Sequence, residues 1–190
     1  MPVYHFTLHA YRSWSADNPR GYVRRRTGIL RPDPQKAAQY DSQAKWPPVR
    51  FTTQMQQILV LGSYDVCQTR GWRLHMAAAE PSHLHLIVSW RQYLPWQKVR
   101  QRIKNVLSLS LGRAASQAGR QWFVREASRK RVTDREHLDH LTNSYLPKHR
   151  GLLWREGQPL PEDRWGILGG RRAAPAARGL PSAATKSKKT

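Results

Sequence analysis

Two short stretches of this 190-residue chain carry side chains able to act together on a reacting group. The first is Ser82-His83-Leu84-His85-Leu86-Ile87-Val88. Residues two apart on a strand project from one face, so His83 and His85 stand side by side while Leu84, Leu86 and Val88 face the other way. Paired imidazoles can offer ring nitrogens to one divalent ion. The same pattern also suits two polar residues on a solvated sheet face. The second stretch is Asn143-Ser144-Tyr145-Leu146-Pro147-Lys148-His149. A tyrosine set among cations can serve as a nucleophile when a metal ion polarises its target. Tyr145 also continues a helical stripe with Leu138 and Leu141, which suits core packing.

These residues need elements to hold them. Tyr4, Phe6 and Leu8 alternate with His5, Thr7 and His9, which reads as a strand over 4–9 with both histidines on one face. From Ser13 to Pro48 the chain is polar, basic and proline-rich. This stretch reads as a long insertion, about 13–48, with little regular structure, placed to touch a phosphate or a partner. A helix is predicted from about Thr53 to Arg70, capped by Thr52 or Thr53 and closed by Gly71. Residues 72–79 and 83–90 read as two strands joined at Glu80-Pro81-Ser82. A second helix begins near Leu94-Pro95, with Val99, Ile103, Val106 and Leu107 as its apolar stripe, and Gly112 marks its end or a weak point. Trp122-Phe123-Val124 is a short strand candidate, and residues 128–132 form a basic loop or edge strand. Thr133 with Glu136 makes a capping box for a third helix bearing Leu138, Leu141 and Tyr145. Pro147 removes a helical hydrogen bond and should distort the alignment of Tyr145 with His149. Three strands and three helices without strict alternation imply an α+β fold, with helices on an antiparallel sheet.

Composition narrows the partners. Lys and Arg total 33 against 12 Asp and Glu, a net charge of +21. Such a field gathers polyanions, and nucleic acid leads because neutralised phosphates release counterions. A membrane surface fits less well, since no long apolar run or strongly amphipathic basic helix is present. Cys67 is the only cysteine, which excludes an internal disulfide and a cysteine-rich metal site and fits a reducing cytoplasm. Residues 1–170 read as one domain, and 171–190 as a disordered basic tail with six cations and no acid. Trp90, Trp96 and Trp122 are candidates for stacking on unpaired bases.

Taken together, the His-hydrophobic-His strand, two following helices and a lone tyrosine on the later one resemble the single-tyrosine HUH endonucleases. The likeness is to insertion-sequence transposases of that type and their REP-associated relatives. It spans about residues 4–155, including Tyr4-x-Phe6-Thr7, Gly71-Trp72 and Ser128-Arg129-Lys130-Arg131-Val132. Glu80-Pro81-Ser82 departs from the Met-Pro-Asn that relatives often carry. The resemblance implies a ferredoxin/RRM-like HUH core and a Mg²⁺ or Mn²⁺ ion held by His83, His85 and His149, the last four residues beyond Tyr145. It implies that Tyr145 attacks a phosphodiester of single-stranded or hairpin DNA and leaves a 5′-phosphotyrosine, as in DNA transposition. Lys104 and Lys148 are candidate phosphate contacts, and Arg129, Lys130 and Arg131 a candidate grip on the strand. A homodimer with exchanged tyrosines and a monomer are both open, and the location implied is cytoplasmic and nucleoid-associated. An inactive relative that binds such DNA is the alternative. A basic RNA-binding protein is another, and it predicts that the three histidines do not converge.

Overall fold

The computed structural model describes residues 1–24 and 27–168. In chain order its elements are β1 (Val3–His9), β2 (Tyr22–Arg24), β3 (Gly28–Leu30), α1 (Pro34–Ser42), α2 (Thr53–Arg70), β4 (Arg73–Ala79), β5 (His83–Ser89), α3 (Trp96–Ala114), β6 (Ser128–Val132), α4 (Arg135–His140) and β7 (Leu152–Arg155). Five strands form one antiparallel sheet in the order β6-β1-β5-β4-β7. The fold is α+β, with the His83–His85 strand at the centre of the sheet and helices packed on it. No helix among the described residues is long and apolar enough to cross a membrane.

The sheet has two unlike faces because the strands alternate. Phe6, Leu8, Leu84, Leu86 and Val88 turn toward α2 and α3 and bury with Ile58, Leu59, Val99, Ile103 and Leu107 in the main core. The opposite face carries a smaller core of Met76, Ala78, Ile87 and Val132, closed by Leu141 and Leu146 from the segment after α4. Beside that smaller core, the alternation sets the polar residues of β1 and β5 along a cleft. Thr7 pairs with His85 and His9 with His83 across the strands.

Local chemistry accounts for most element ends. Thr52 accepts the Met55 N–H to start α2, and Gly71 ends it in the left-handed region at φ 65°. Helix α4, the one expected to open at Thr133, differs from expectation at both ends. Asp134 rather than Thr133 is its cap, accepting the His137 N–H, while the Thr133 hydroxyl donates to Asp134. The carboxylate accepts more strongly than a hydroxyl and takes the cap one residue later. Regular α geometry stops at His140, followed by a wide π turn over Leu141–Tyr145 and a tight 3₁₀ turn over Leu146–Lys148. Pro147 explains the change: it has no N–H for the carbonyl four residues back, and its ring crowds that carbonyl. The Leu146 N–H instead reaches Leu141 O, five residues back.

The 13–48 insertion is more ordered than its composition suggested, holding the β2–β3 hairpin and α1. Asp33 caps α1 and Pro34 fills its first turn, so the helix starts well despite having only Ala37 buried. Residues 122–124 make a single bridge, Ala10 to Phe123, rather than a strand. Helix α3 runs through Gly112 to Ala114. The expected tail, 171–190, lies outside the described residues.

Strand β7 was not anticipated, and it positions the chain that follows His149. Gly151 packs against β4 so closely that a Cβ there would sit 1.9 Å from the Ala79 carbonyl oxygen. Gly151→Ala should therefore force the two strands apart. The expected cost is about 2–4 kcal/mol, or a Tm lowered by about 5–15 °C in a thermal melt. A melt within 2 °C of wild type, taking ~2–4 °C per kcal/mol, would show that the strands yield without cost.

Candidate metal centre and nucleophile

His83 and His85 come from β5, and His149 from the extended residue immediately after the 3₁₀ turn. One ring nitrogen from each lies within 4.8 Å of the others, close enough for a shared ion. The rings of His83 and His85 are 4.6 Å apart, and those of His85 and His149 4.5 Å. The π and 3₁₀ turns thus carry the chain past Pro147 while still delivering His149 to the strand pair. This convergence leaves an incidental His-x-His without support.

The surroundings prepare these rings as ligands. His149 Nδ1 donates to the Leu146 carbonyl at 3.2 Å, which leaves Nε2 as the free lone pair. His85 Nδ1 meets Thr7 Oγ1 at 3.0 Å and His5 Nε2 at 2.9 Å. That arrangement leaves His85 Nε2 as the candidate ligand atom, and it is buried without a hydrogen-bond partner among the described residues. An orphaned buried nitrogen costs free energy unless something occupies it, and a cation suits a nitrogen lone pair. His83 Nδ1 meets Ser82 Oγ at 2.8 Å, and its Nε2 lies 3.6 Å from Glu80 Oε2. The other Glu80 oxygen accepts the Arg150 N–H at 2.9 Å. Glu80 therefore ties the turn before His83 to the residue after His149. The donor set fits a divalent ion.

Burial favours the neutral form of His83 and His85, which is the form that ligates. It pushes His85 down to about 2, with neighbouring His83, His5, His149 and His9 adding to the effect. Burial, then Lys130, His137 and His149, brings His5 down to about 4. Burial also lowers His83, against an opposing pull from Glu80. For His5 the unfolded chain, at 6.5, binds more protons than the folded one across the interval from 6.5 to about 4. Stability from this residue is therefore complete above 6.5 and lost as pH falls. In chelator, urea unfolding should lose roughly 2 kcal/mol from His5 alone between pH 7 and 5. His5→Gln should show that much less dependence, and an unchanged slope would refute the assignment.

Tyr145 lies beside this cluster and is 39% exposed, so it does not continue the core stripe that Leu141 and Leu146 complete. Its ring is 5.1 Å from that of His149 and 5.8 Å from that of His85. Together with His5, Thr7, His9, Ser128, Lys130, His137 and His140, it lines a cleft of about 530 Å³. His137 had no functional signal in the sequence, and Thr7 entered only as part of the Tyr4-x-Phe6-Thr7 likeness. The strand alternation of β1 was the one clue to His5 and His9.

The basic candidates separate. Lys130 pairs with His5 across β6 and lines the cleft. Arg129 and Arg131 pair with Phe6 and Tyr4, on the other face. The Arg129 guanidinium stacks 4.4 Å from the Trp96 ring, whose other cation partner is Arg100 at 5.0 Å. Lys148 is exposed next to His149. Lys104 stands on α3, away from the cleft, and its Nζ donates to the carbonyls of Val124 and Arg125. Trp90 and Trp122 are buried in the main core, and Trp96 is covered by its two arginines.

No protein-family model matches the sequence, and no curated protein does. Among solved structures, a REP-associated tyrosine transposase bound to a REP hairpin is similar at 12% identity, with a TM-score of 0.41 over 74% of this chain. This chain spans 61% of the length of that one. A candidate transposase from Deinococcus radiodurans is similar at 13% identity, with a TM-score of 0.39, over 79% of this chain and 92% of its own.

Proposed function

We propose that the chain is a metal-dependent single-stranded DNA endonuclease and strand transferase of the transposase kind, with Tyr145 as its nucleophile. The observation that carries this reading is the convergence of His83, His85 and His149, with an exposed Tyr145 beside them, in a strongly basic protein. Mg²⁺ or Mn²⁺ bound by the three histidines would supply Lewis acidity toward a non-bridging phosphate oxygen. Nitrogen-rich ligation suits Mn²⁺ better than Mg²⁺.

The protein's own residues do the rest. Thr7 and His5 orient the His85 ring through its Nδ1, and the Leu146 carbonyl, which can only accept, holds His149 in the tautomer with Nε2 free. Lys130 places positive charge at the cleft wall, where a phosphate enters. Tyr145 Oη forms a bond to phosphorus as the bond from phosphorus to the 3′-oxygen breaks. The phenolic proton passes to water at the open side of the cleft, and the departing 3′-oxygen takes one up. The 5′-phosphotyrosine is a diester like the one it replaced, so a second 3′-hydroxyl can reverse the step without ATP. Single-stranded or hairpin DNA is the proposed substrate.

The test is a denaturing gel of the protein incubated with end-labelled single-stranded and hairpin DNAs, with Mn²⁺ or chelator. A slow protein–DNA band in Mn²⁺ alone is expected. Tight binding with no band on any strand would favour a binding protein that has lost catalysis.

A further inference from the structure

The 13–48 insertion builds a second groove against the metal cleft. Trp14, Tyr22, Val23 and Tyr40 from the insertion face Val124, Ala127 and Ser128 across a space of about 720 Å³. His9 and Ser128 line both this groove and the metal cleft, so the two are continuous. The volume falls in the range of about 300–1,000 Å³ typical of sites for small organic groups. Two of its rings are open to solvent, Trp14 at 53% and Tyr40 at 51%. Exposed aromatics gathered along one groove mark an interaction surface.

The groove is held, not loose. The Trp14 indole N–H donates to Gly21 O at 2.8 Å, which fixes the ring. Asp41 of α1 pairs with Arg12, and Arg12 also donates to Trp46 O at 3.2 Å. The Asp33 N–H reaches Ala16 O at 2.8 Å, and the Val49 N–H reaches Tyr11 O at 2.8 Å. These contacts anchor the insertion to the chain leaving β1.

We propose that this groove binds the bases of the single strand flanking the phosphate in the metal cleft, by stacking on Trp14 and Tyr40. The inference rests on the nuclease reading for its choice of ligand. Single-stranded nucleic acid is the occupant that the surroundings select. The chain carries +21, and the groove opens directly onto the candidate phosphate site. Among the described residues, Glu126 is the one acidic residue lining the groove, and of the three acids of the insertion, Asp17, Asp33 and Asp41, the second caps α1 and the third pairs with Arg12. Stacking tolerates any base because every base has a π face, and it works best on single strands. The groove therefore supplies grip on the strand beside the reacting centre.

The test uses fluorescein-labelled 20-mers of thymidylate and of abasic residues, with the full chain in chelator, read by fluorescence anisotropy. Wild type should prefer the thymidylate strand. Trp14→Ala with Tyr40→Ala should bind it about 10- to 100-fold more weakly and bind the abasic strand unchanged. Equal loss on both strands, or no loss, would overturn the proposal. A thymidylate strand bearing 5-iododeoxyuridine, irradiated with wild type, gives a second reading that needs no variant. Crosslinks on Trp14, Tyr22 or Tyr40 support the groove, and crosslinks confined to other sites refute it. Because metal and Tyr145 are not involved, these outcomes stand whether or not a covalent band forms.

Discussion

Replacing Tyr145 with phenylalanine should abolish the covalent protein–DNA band and lower strand cleavage by at least about 10³-fold. The change removes one oxygen. Since the ring is 39% exposed and outside the core, stability should move by less than about 1 kcal/mol. Mn²⁺ affinity should also stay at the wild-type value, because the ligating nitrogens belong to other residues. This combination separates a nucleophile from a structural tyrosine. A band that persists in Tyr145→Phe, at any intensity near wild type, would assign the chemistry to another side chain. A variant that loses Mn²⁺ binding as well would make Tyr145 part of the metal centre instead.

The second large effect concerns the metal itself. His149→Ala should weaken Mn²⁺ binding by more than about 100-fold, read by calorimetry or by the electron paramagnetic resonance of free Mn²⁺. Of the three histidines, His85 is the most buried, so its removal confounds ligation with packing. His149 avoids that problem. Thr7→Val gives a finer measurement. It keeps the volume and removes the hydroxyl on His85 Nδ1, and should cost about 10- to 100-fold in affinity. If wild type binds no Mn²⁺, the metal reading fails. If His149→Ala binds as wild type does, His83 and His85 alone form the centre and the third ligand is misassigned.

The framework of the sheet was readable from alternation and capping. The pattern Tyr4, Phe6, Leu8 against His5, Thr7, His9 gave both the β1 strand and the side of it on which polar residues gather. Thr52 and Gly71 bounded α2 because each acts within its own few residues. What escaped was non-local or weakly patterned. β7 has only four residues, and its place beside β4 depends on the absent side chain of Gly151. Helix α1 buries one residue, so it has no apolar stripe to detect, although Asp33-Pro34 was a local sign of its start.

The site followed the same division. Strand period set His83 and His85 side by side, and the family resemblance pointed to Tyr145 and to His149 four residues beyond it; the structure brings these four side chains together. Arg129, Lys130 and Arg131 looked like one cluster, yet a strand sends neighbours to opposite faces, and Lys130 alone reaches the cleft. Lys104 looked like a free surface charge. Its carbonyl partners come from a loop some twenty residues away, which no local pattern encodes.

The smaller core has a consequence for how the protein moves. The segment from α4 to the 3₁₀ turn is fastened to the sheet mainly through Leu138, Leu141 and Leu146, while β1 and β5 are also locked into the larger core. Detaching that segment exposes far less apolar surface than melting the sheet, so it is a separate, lower-energy opening unit. Its amide protons should exchange with solvent well before those of β5. Under the proposed nuclease reading, a Tyr145 mounted on such a unit would travel away from the histidine pair with a DNA end attached, while the strand that holds His83 and His85 stays folded.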